Sequence, residues 1–258
     1  MNATNPVVSR AATTGDLSGD SLLSLSGLDL GQQIQEGLGV SVDDIESSEV
    51  LLVNLLLDDS GSMSGNEQAV RDGVNDLLQA LRESKQAGGV VVFVRQLNSG
   101  LTFAFQLLTP SVKLDSRNFR AMGSTPLFRE TLVTLGTVAT KTADFENNGV
   151  PVRSITVIVT DGGDTGYGNP PADDVKRVVE DMERSERHII FGYGIGDEAF
   201  FRQVFDEMGV RRDRQLVTTG DHHAIRHGFG IVSQSAVRAS QAAGTGFSGA
   251  GVGGFGTP

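Results

Sequence analysis

Five oxygen-bearing side chains stand in three short segments, each at the border of an apolar run or a helical pattern. The residues are Asp58, Ser60, Ser62, Thr125 and Asp161. Alternate residues of an extended chain project to one side, so the carboxylate and the two hydroxyls of the first segment should converge. Oxygen ligands without His or Cys favour Mg²⁺, with Mn²⁺ or Ca²⁺ as alternatives.

The mixture of hydroxyls and carboxylates indicates binding of a further acidic group. Two directly bound carboxylates would cancel the charge of a divalent cation. If hydroxyls take the direct positions and a carboxylate acts through water, the cation keeps an open position for a carboxylate from outside. Each residue alone also suits an ordinary role, since Asp58, Ser60, Ser62 and Asp161 fit turns and Thr125 fits a helix N-cap. Their joint occurrence favours the metal interpretation.

The elements that would position these residues alternate between strand and helix. The patterns predict strands at 50–57, 89–96, 101–108, 152–159, 188–193 and 214–218. A capping box at Ser64 and Glu67 predicts a following helix, and further helices are predicted at 127–140, 171–185, 197–208 and 221–241. This order predicts an α/β fold with a Rossmann-like, doubly wound, mostly parallel six-stranded sheet and helices on both faces. Residues 101–108 would form its one antiparallel edge strand.

Such sheets place their sites beyond the carboxyl ends of the strands, where all three oxygen-rich segments should lie. Composition divides the chain into an acidic Ser/Gly/Leu-rich arm at 1–48, an α/β body at 49–238 and an uncharged Gly-rich tail at 239–258. The arm and the tail are expected to be flexible. The several Leu residues of the arm leave open that it orders against a partner or against a second copy.

Charge and composition exclude several classes of function. The chain has 258 residues with 21 Lys and Arg against 32 Asp and Glu, a net charge of -11, which disfavours nucleic-acid binding. It has no Cys, so thiolate metal sites and Cys nucleophiles are excluded. Neither a spanning apolar segment nor a signal peptide is readable, so we expect no membrane contact and a cytoplasmic location.

The spacing Asp58-x-Ser60-x-Ser62, Thr125 in Gly-Ser-Thr-Pro and Asp161 in Val-Thr-Asp-Gly resembles the metal-ion-dependent adhesion site (MIDAS) of von Willebrand factor A (vWA) domains. The resemblance covers residues 50–235, and all five family positions are filled. Asp-x-Ser-Gly-Ser-Met-Ser-Gly and Gly-Ser-Thr-Pro-Leu are similar to bacterial intracellular members, such as the tellurite-resistance-associated (TerY-like) ones.

This resemblance implies a metal-dependent protein–protein interaction module rather than an enzyme, within a bacterial multiprotein system of the stress or tellurite-resistance kind. Ser60 and Ser62 would bind the metal directly, Thr125 would do so in the ligand-competent state, and Asp58 and Asp161 would act directly or through water. A partner Asp or Glu would complete the shell. Ser124 and Asp164, which border the proposed ligands, are candidates for contact with the partner.

Two other functions remain as alternatives. A structural assembly protein would use the arm and the tail, and its assembly would survive chelation. A phosphatase of the haloacid-dehalogenase type needs a second Asp at the position of Ser60, so it fits poorly. Neither a phosphate-binding loop at 136–142 nor a Ser–His hydrolase near Ser60 or Ser62 is supported.

Several other residues have simpler interpretations. His223 and His227 could share a metal, but surface positions are the expectation. Asp59 and Asp164 are expected to be solvated loop acids. Six aromatic residues in periodic segments are expected in the core: Phe103, Phe105, Phe191, Phe200, Phe201 and Phe205.

Overall fold

The computed structural model describes residues 6–28, 30–84, 87–166 and 168–241, with the backbone alone for 239–241. The strands are β1 (Val50–Leu57), β2 (Val90–Gln96), β3 (Gly100–Leu107), β4 (Val152–Thr160), β5 (His188–Ile195) and β6 (Gln215–Thr218). The helices are α1 (Pro6–Ala11), α2 (Gly19–Gly27), α3 (Gly31–Gly37), α4 (Glu67–Arg82), α5 (Leu127–Asn147), α6 (Ala172–Arg184), α7 (Glu198–Glu207) and α8 (His222–Gln241).

The six strands form one sheet in the order β3-β2-β1-β4-β5-β6. All neighbours are parallel except β2 and β3, which form an antiparallel hairpin at one edge. Gly100 enters the hairpin with a φ of 71°, a conformation that glycine adopts without steric cost. The predicted fold class, including its antiparallel edge strand, is confirmed.

The sheet separates two hydrophobic cores, and alternate residues of the buried strand β1 enter each of them. Leu52 and Leu56 pack with apolar residues of α5, α6 and α7, whereas Val53 and Leu55 pack with those of α4 and α8. Because β1 is buried along its whole length between β2 and β4, its carboxyl end is held rigidly at the centre of the sheet.

The described part of residues 1–48 is not the flexible arm that its composition predicts. It forms α1, α2 and α3, which pack against α5 and α6. Its apolar side chains complete the core on that face, with Val8, Leu25, Leu30 and Ile34 all buried. The physical reason is that these side chains have a partner surface within the same chain, since α5 is buried around most of its circumference.

Two local expectations are also corrected or left open. Helix α4 begins at Glu67 with Asn66 at its N-cap and has no side-chain cap, so the capping box with Ser64 does not form. The Glu67 carboxylate instead accepts from the backbone N–H of Ala121 at 2.7 Å.

The Gly-rich tail lies outside the described residues, apart from the end of α8 at Gln241. Among the described residues, no helix is long and apolar enough to cross a membrane.

Candidate functional site

Three loops meet beyond the carboxyl ends of β1 and β4, which are neighbours at the centre of the sheet. The loop after β1 is tied to the loop before α5, because the N–H of Gly61 donates to the carbonyl of Gly123 at 3.2 Å. The loop after β4 is tied to the same segment through Thr125, whose carbonyl accepts from the N–H of Thr165 at 2.9 Å. The convergence of three distant segments follows from the strand order and these backbone bonds.

Asp58 lies at the base of this site and is completely buried. Its Oδ1 accepts from the N–H of Ser60 at 2.7 Å, which fixes the turn that follows β1. Its Oδ2 accepts from the hydroxyl of Thr160 at 2.7 Å. Thr160 is a neighbour of the site that the sequence interpretation missed, because its contact with Asp58 depends on the register between β1 and β4.

The hydroxyls and the second carboxylate form a connected row above Asp58. Ser60 Oγ and Ser62 Oγ are 3.0 Å apart, and Ser62 Oγ donates to Asp161 Oδ1 at 2.7 Å. Burial raises the pKa of Asp161 and the charge of Asp58 raises it further, while the hydrogen bond from Ser62 acts in the opposite direction. The structure therefore brings two carboxylates together in an environment that disfavours the negative charge of Asp161.

Thr125 approaches the same place from the third loop and is buried. Its N–H donates to the hydroxyl of Thr165 at 3.1 Å. A Cβ built on Gly162 would lie 3.6 Å from Thr125 Oγ1, so this hydroxyl lies beside the residue that follows Asp161. Helix α5 has Pro126 at its N-cap and no side-chain cap.

The donor set fits a hard divalent cation. In the described part of the chain, neither Asp58 nor Asp161 forms an ion pair with Lys, Arg or His. Within the same residues, no three His, Cys, Asp or Glu side chains come together in a way that could hold a metal. An ion at this site would therefore depend on the hydroxyls of Ser60, Ser62 and Thr125 as well as on the two carboxylates.

Two acidic neighbours are structural rather than solvated loop acids. Asp59 is fully buried and accepts from the backbone N–H groups of Asn98 and Ser99, at 2.7 and 3.0 Å, and from the Ser99 hydroxyl at 2.6 Å. It thereby holds the β2–β3 hairpin against the site. Asp164 accepts from the N–H of Phe128 at 2.9 Å in the first turn of α5 and also from the side chain of Asn169.

The other candidate partner contact, Ser124, is exposed at the rim, and its carbonyl accepts from Asn98 Nδ2 at 2.7 Å. His223 and His227 are exposed, as expected. The expectation of a core position is wrong for Phe200, whose exposed fraction is 45%, because it stands in the first turn of α7 beside the site.

A Ser–His–Asp contact exists elsewhere in the molecule, which the sequence did not reveal. Ser154 Oγ lies 2.6 Å from His188 Nδ1, and His188 Nε2 lies 3.3 Å from Asp16 Oδ2. All three side chains are buried at the amino ends of β4 and β5, the end of the sheet opposite the candidate site. Arg187 also pairs with Asp16, so the network joins the N-terminal segment to the sheet.

Comparison with solved structures identifies the fold. A pilus adhesin, SpaC from Lactobacillus rhamnosus GG, matches with a TM-score of 0.55 and 12% identity over 75% of this chain and 31% of the adhesin. The SpRpn10 VWA domain matches with a TM-score of 0.50 and 13% identity over 73% of this chain and 96% of that domain. The chain has the fold of a vWA domain. No family model and no curated protein matches its sequence.

The match to SpaC spans less than a third of the adhesin, whereas the match to the SpRpn10 domain spans almost all of it. The shared part is therefore one vWA unit. The five residues of the sequence motif stand where the loops of this fold converge, at the carboxyl ends of β1 and β4 and before α5.

Proposed function

We propose that this protein is a metal-dependent protein-binding module. Asp58, Ser60, Ser62, Thr125 and Asp161 would hold a divalent cation, Mg²⁺ first, with Mn²⁺ or Ca²⁺ as alternatives. The observation that carries the proposal is the convergence of two carboxylates and three hydroxyls from separate loops, with no basic side chain of the described chain paired to either carboxylate.

When bound, the cation would supply an open coordination position that accepts a carboxylate oxygen from a protein partner. The chain's own residues prepare that position. Asp58 fixes the turn that presents Ser60, and Ser62 and Asp161 stand at the accessible side of the site. With the neutral hydroxyls bound directly and a carboxylate acting through water, part of the cation's charge would stay uncompensated, which favours a further anionic ligand.

This proposal assigns no catalytic residue. A setting in a bacterial multiprotein system of the tellurite-resistance kind, and a cytosolic location, stay predictions from the sequence resemblance. The matched structures include a pilus adhesin, so the fold by itself does not choose between locations.

Calorimetric titration of Mn²⁺ tests the site. We expect Asp161→Asn to weaken Mn²⁺ binding at least tenfold, because it removes one of only two carboxylates. Asp173→Asn, the same substitution at an exposed acid in the first turn of α6, is the matched control and should bind as the wild type does. Equal affinity in Asp161→Asn and the control would contradict the proposal.

The alternative of assembly through the chain's ends makes a different prediction. A complex formed through residues 1–48 or 239–258 would survive EDTA, whereas binding through the cation would be lost in EDTA and restored by excess Mg²⁺. Val8, Leu25 and Ile34 are buried inside this chain. Because these side chains already pack within the protein, they are not available for assembly with another chain, which supports the metal-dependent proposal.

A further inference from the structure

Two exposed apolar side chains border the candidate metal site. Among the described residues, Met122 and Phe200 are two of only three large apolar side chains that are strongly exposed, at 56% and 45%. The N–H of Met122 donates to the carbonyl of Asp59 at 2.6 Å, next to the first metal-site loop. A Cβ on Gly163, two residues after Asp161, would lie 3.1 Å from the Phe200 ring.

The strand order places these side chains on different sides of the site. Met122 contacts the β2–β3 hairpin, since the Ser99 hydroxyl lies 3.8 Å from its sulfur. Phe200 belongs to α7, which follows β5 on the far side of β4. A partner that reached the candidate metal site would therefore meet an exposed apolar side chain on either side of it.

The Met122 side also carries unpaired positive charge. A pocket of about 330 Å³ lies there, and its walls include Leu101, Arg117, Arg120 and Met122. The side chain of Arg117 is 84% exposed and pairs with Asp115. Arg120 donates to the carbonyl of Ser116 and, within the described residues, forms no ion pair. The Phe200 side differs, since Asp197 and Glu198 are acidic and stand at the start of α7.

We propose that the partner presents an extended acidic segment to this face, in which an acid, an apolar residue and a second acid occupy alternate positions and so project to the same side. The inference rests on the proposed function. The first carboxylate completes the metal shell, the apolar side chain packs on Met122, and the second carboxylate pairs with Arg120 in the pocket. Methionine adapts its shape to different apolar groups, and Arg binds carboxylates through paired hydrogen bonds. The Met122 side is basic and the Phe200 side is acidic, and this difference in charge sets the direction in which the segment crosses the site.

A displayed library of random eight-residue segments tests this on the full chain, selected in Mg²⁺ and, separately, in EDTA. We expect the Mg²⁺ pool to be enriched in segments with an acid, an apolar residue and a second acid at alternate positions, and that enrichment to disappear in EDTA. Arg120→Glu should weaken the selected segments at least tenfold and, in a new selection, change the second acid to Lys or Arg while the first acid stays. Met122→Ser should remove the preference for the apolar residue.

Lys113→Glu is the matched control, because Lys113 is exposed in the same loop, carries the same charge and is not part of the pocket wall. It should leave the selected pattern unchanged. Enrichment of single-acid segments that is lost in EDTA, or an unchanged second acid in Arg120→Glu, would overturn this inference and leave the proposed function standing. A Mg²⁺ pool identical to the EDTA pool would overturn both.

Discussion

Ser62 Oγ donates to Asp161 Oδ1 at 2.7 Å and joins two loops that are 99 residues apart in the sequence. Ser62 is exposed, so this hydrogen bond competes with water and contributes on the order of 1 kcal/mol or less to stability. The bond places the hydroxyl and the carboxylate close enough to share one ligand. Their contact therefore matters more for metal binding than for folding.

Ser62→Ala should consequently weaken Mn²⁺ binding about tenfold or more and shift the free energy of unfolding by less than about 1 kcal/mol. Calorimetry and urea unfolding measure the two quantities separately. Ser64→Ala, two residues further along the same loop and also exposed, is the control for both. A large loss of stability without a loss of Mn²⁺ affinity would assign Ser62 a purely structural role.

Asp59 is expected to be a structural residue. Its buried carboxylate accepts from two backbone N–H groups and one hydroxyl of the β2–β3 hairpin, so Asp59→Ala would leave these donors without a partner. We expect a loss of about 3 kcal/mol in the free energy of unfolding, measured in urea. Asp213→Ala removes an exposed acid that pairs with Arg211, and it should cost about 0.5 kcal/mol or less.

The sequence predicted the centre of the sheet because β1, β2, β4 and β5 are largely apolar runs in one buried layer. The segment Val50–Leu57 is the clearest case, since no amphipathic alternative fits eight residues with a single Asn. The sequence also grouped the five oxygen residues correctly into three loops. Their contact distances, and the part that Thr160 plays in holding Asp58, depend on strand register and were beyond the sequence pattern.

The wrong expectations share one physical cause. Whether a residue is polar or apolar does not by itself determine which neighbours it contacts in the folded chain. Asp59 looks like a loop acid, yet the hairpin closes over it. Phe200 fits an apolar helical face, yet the first turn of α7 leaves it at the surface. The N-terminal residues were interpreted from their Ser and Gly content, whereas their Leu and Ile side chains decide where they pack.

Two glycines in helices allow the effect of packing on stability to be distinguished from the effect of helix propensity. A Cβ on Gly73 of α4 would lie 2.2 Å from the Phe229 ring of α8, whereas a Cβ on Gly230 would meet nothing within 4 Å. Gly73→Ala should therefore destabilise the protein by about 2 kcal/mol despite the better helix propensity of Ala. Gly230→Ala should stabilise it by about 0.5 to 1 kcal/mol. Thermal unfolding of both variants would contradict this account if the two shifts had the same sign.

Asp181 of α6, which accepts hydrogen bonds from Ser18 and Ser21 at the start of α2, should make the free energy of unfolding depend on pH. Burial acts to raise the pKa of Asp181, but hydrogen bonds from Ser18, Ser21 and Arg184 outweigh it and hold the pKa at about 2. A carboxyl whose pKa is lowered by folding stabilises the protein above its unfolded value, near 4, and this contribution is lost as the pH falls toward 2.

Urea unfolding of the wild type and Asp181→Asn across this range measures the effect. The difference in free energy of unfolding should be about 2 kcal/mol at pH 6 and should shrink toward pH 2. Asp173→Asn, an exposed acid on the same helix, should show a small difference that does not change with pH in this way. A difference for Asp181→Asn that stays constant from pH 6 to pH 2.5 would contradict the assigned pKa.

The N-terminal segment offers the most direct test of whether residues 1–48 belong to the folded unit. Ile34 of α3 is fully buried in the core that includes α5, where its Cδ1 would lie 2.9 Å from a Cβ on Gly136, whereas Leu23 of α2 is 67% exposed. Ile34→Ala should cost about 2 to 4 kcal/mol in the free energy of unfolding, and Leu23→Ala should cost about 0.5 kcal/mol or less. Both substitutions remove a large aliphatic side chain from the same segment, so a flexible arm would give equal, near-zero effects. A large effect for Ile34→Ala alone means that the segment folds with the sheet, and that its apolar residues are not available to a partner while the protein is folded.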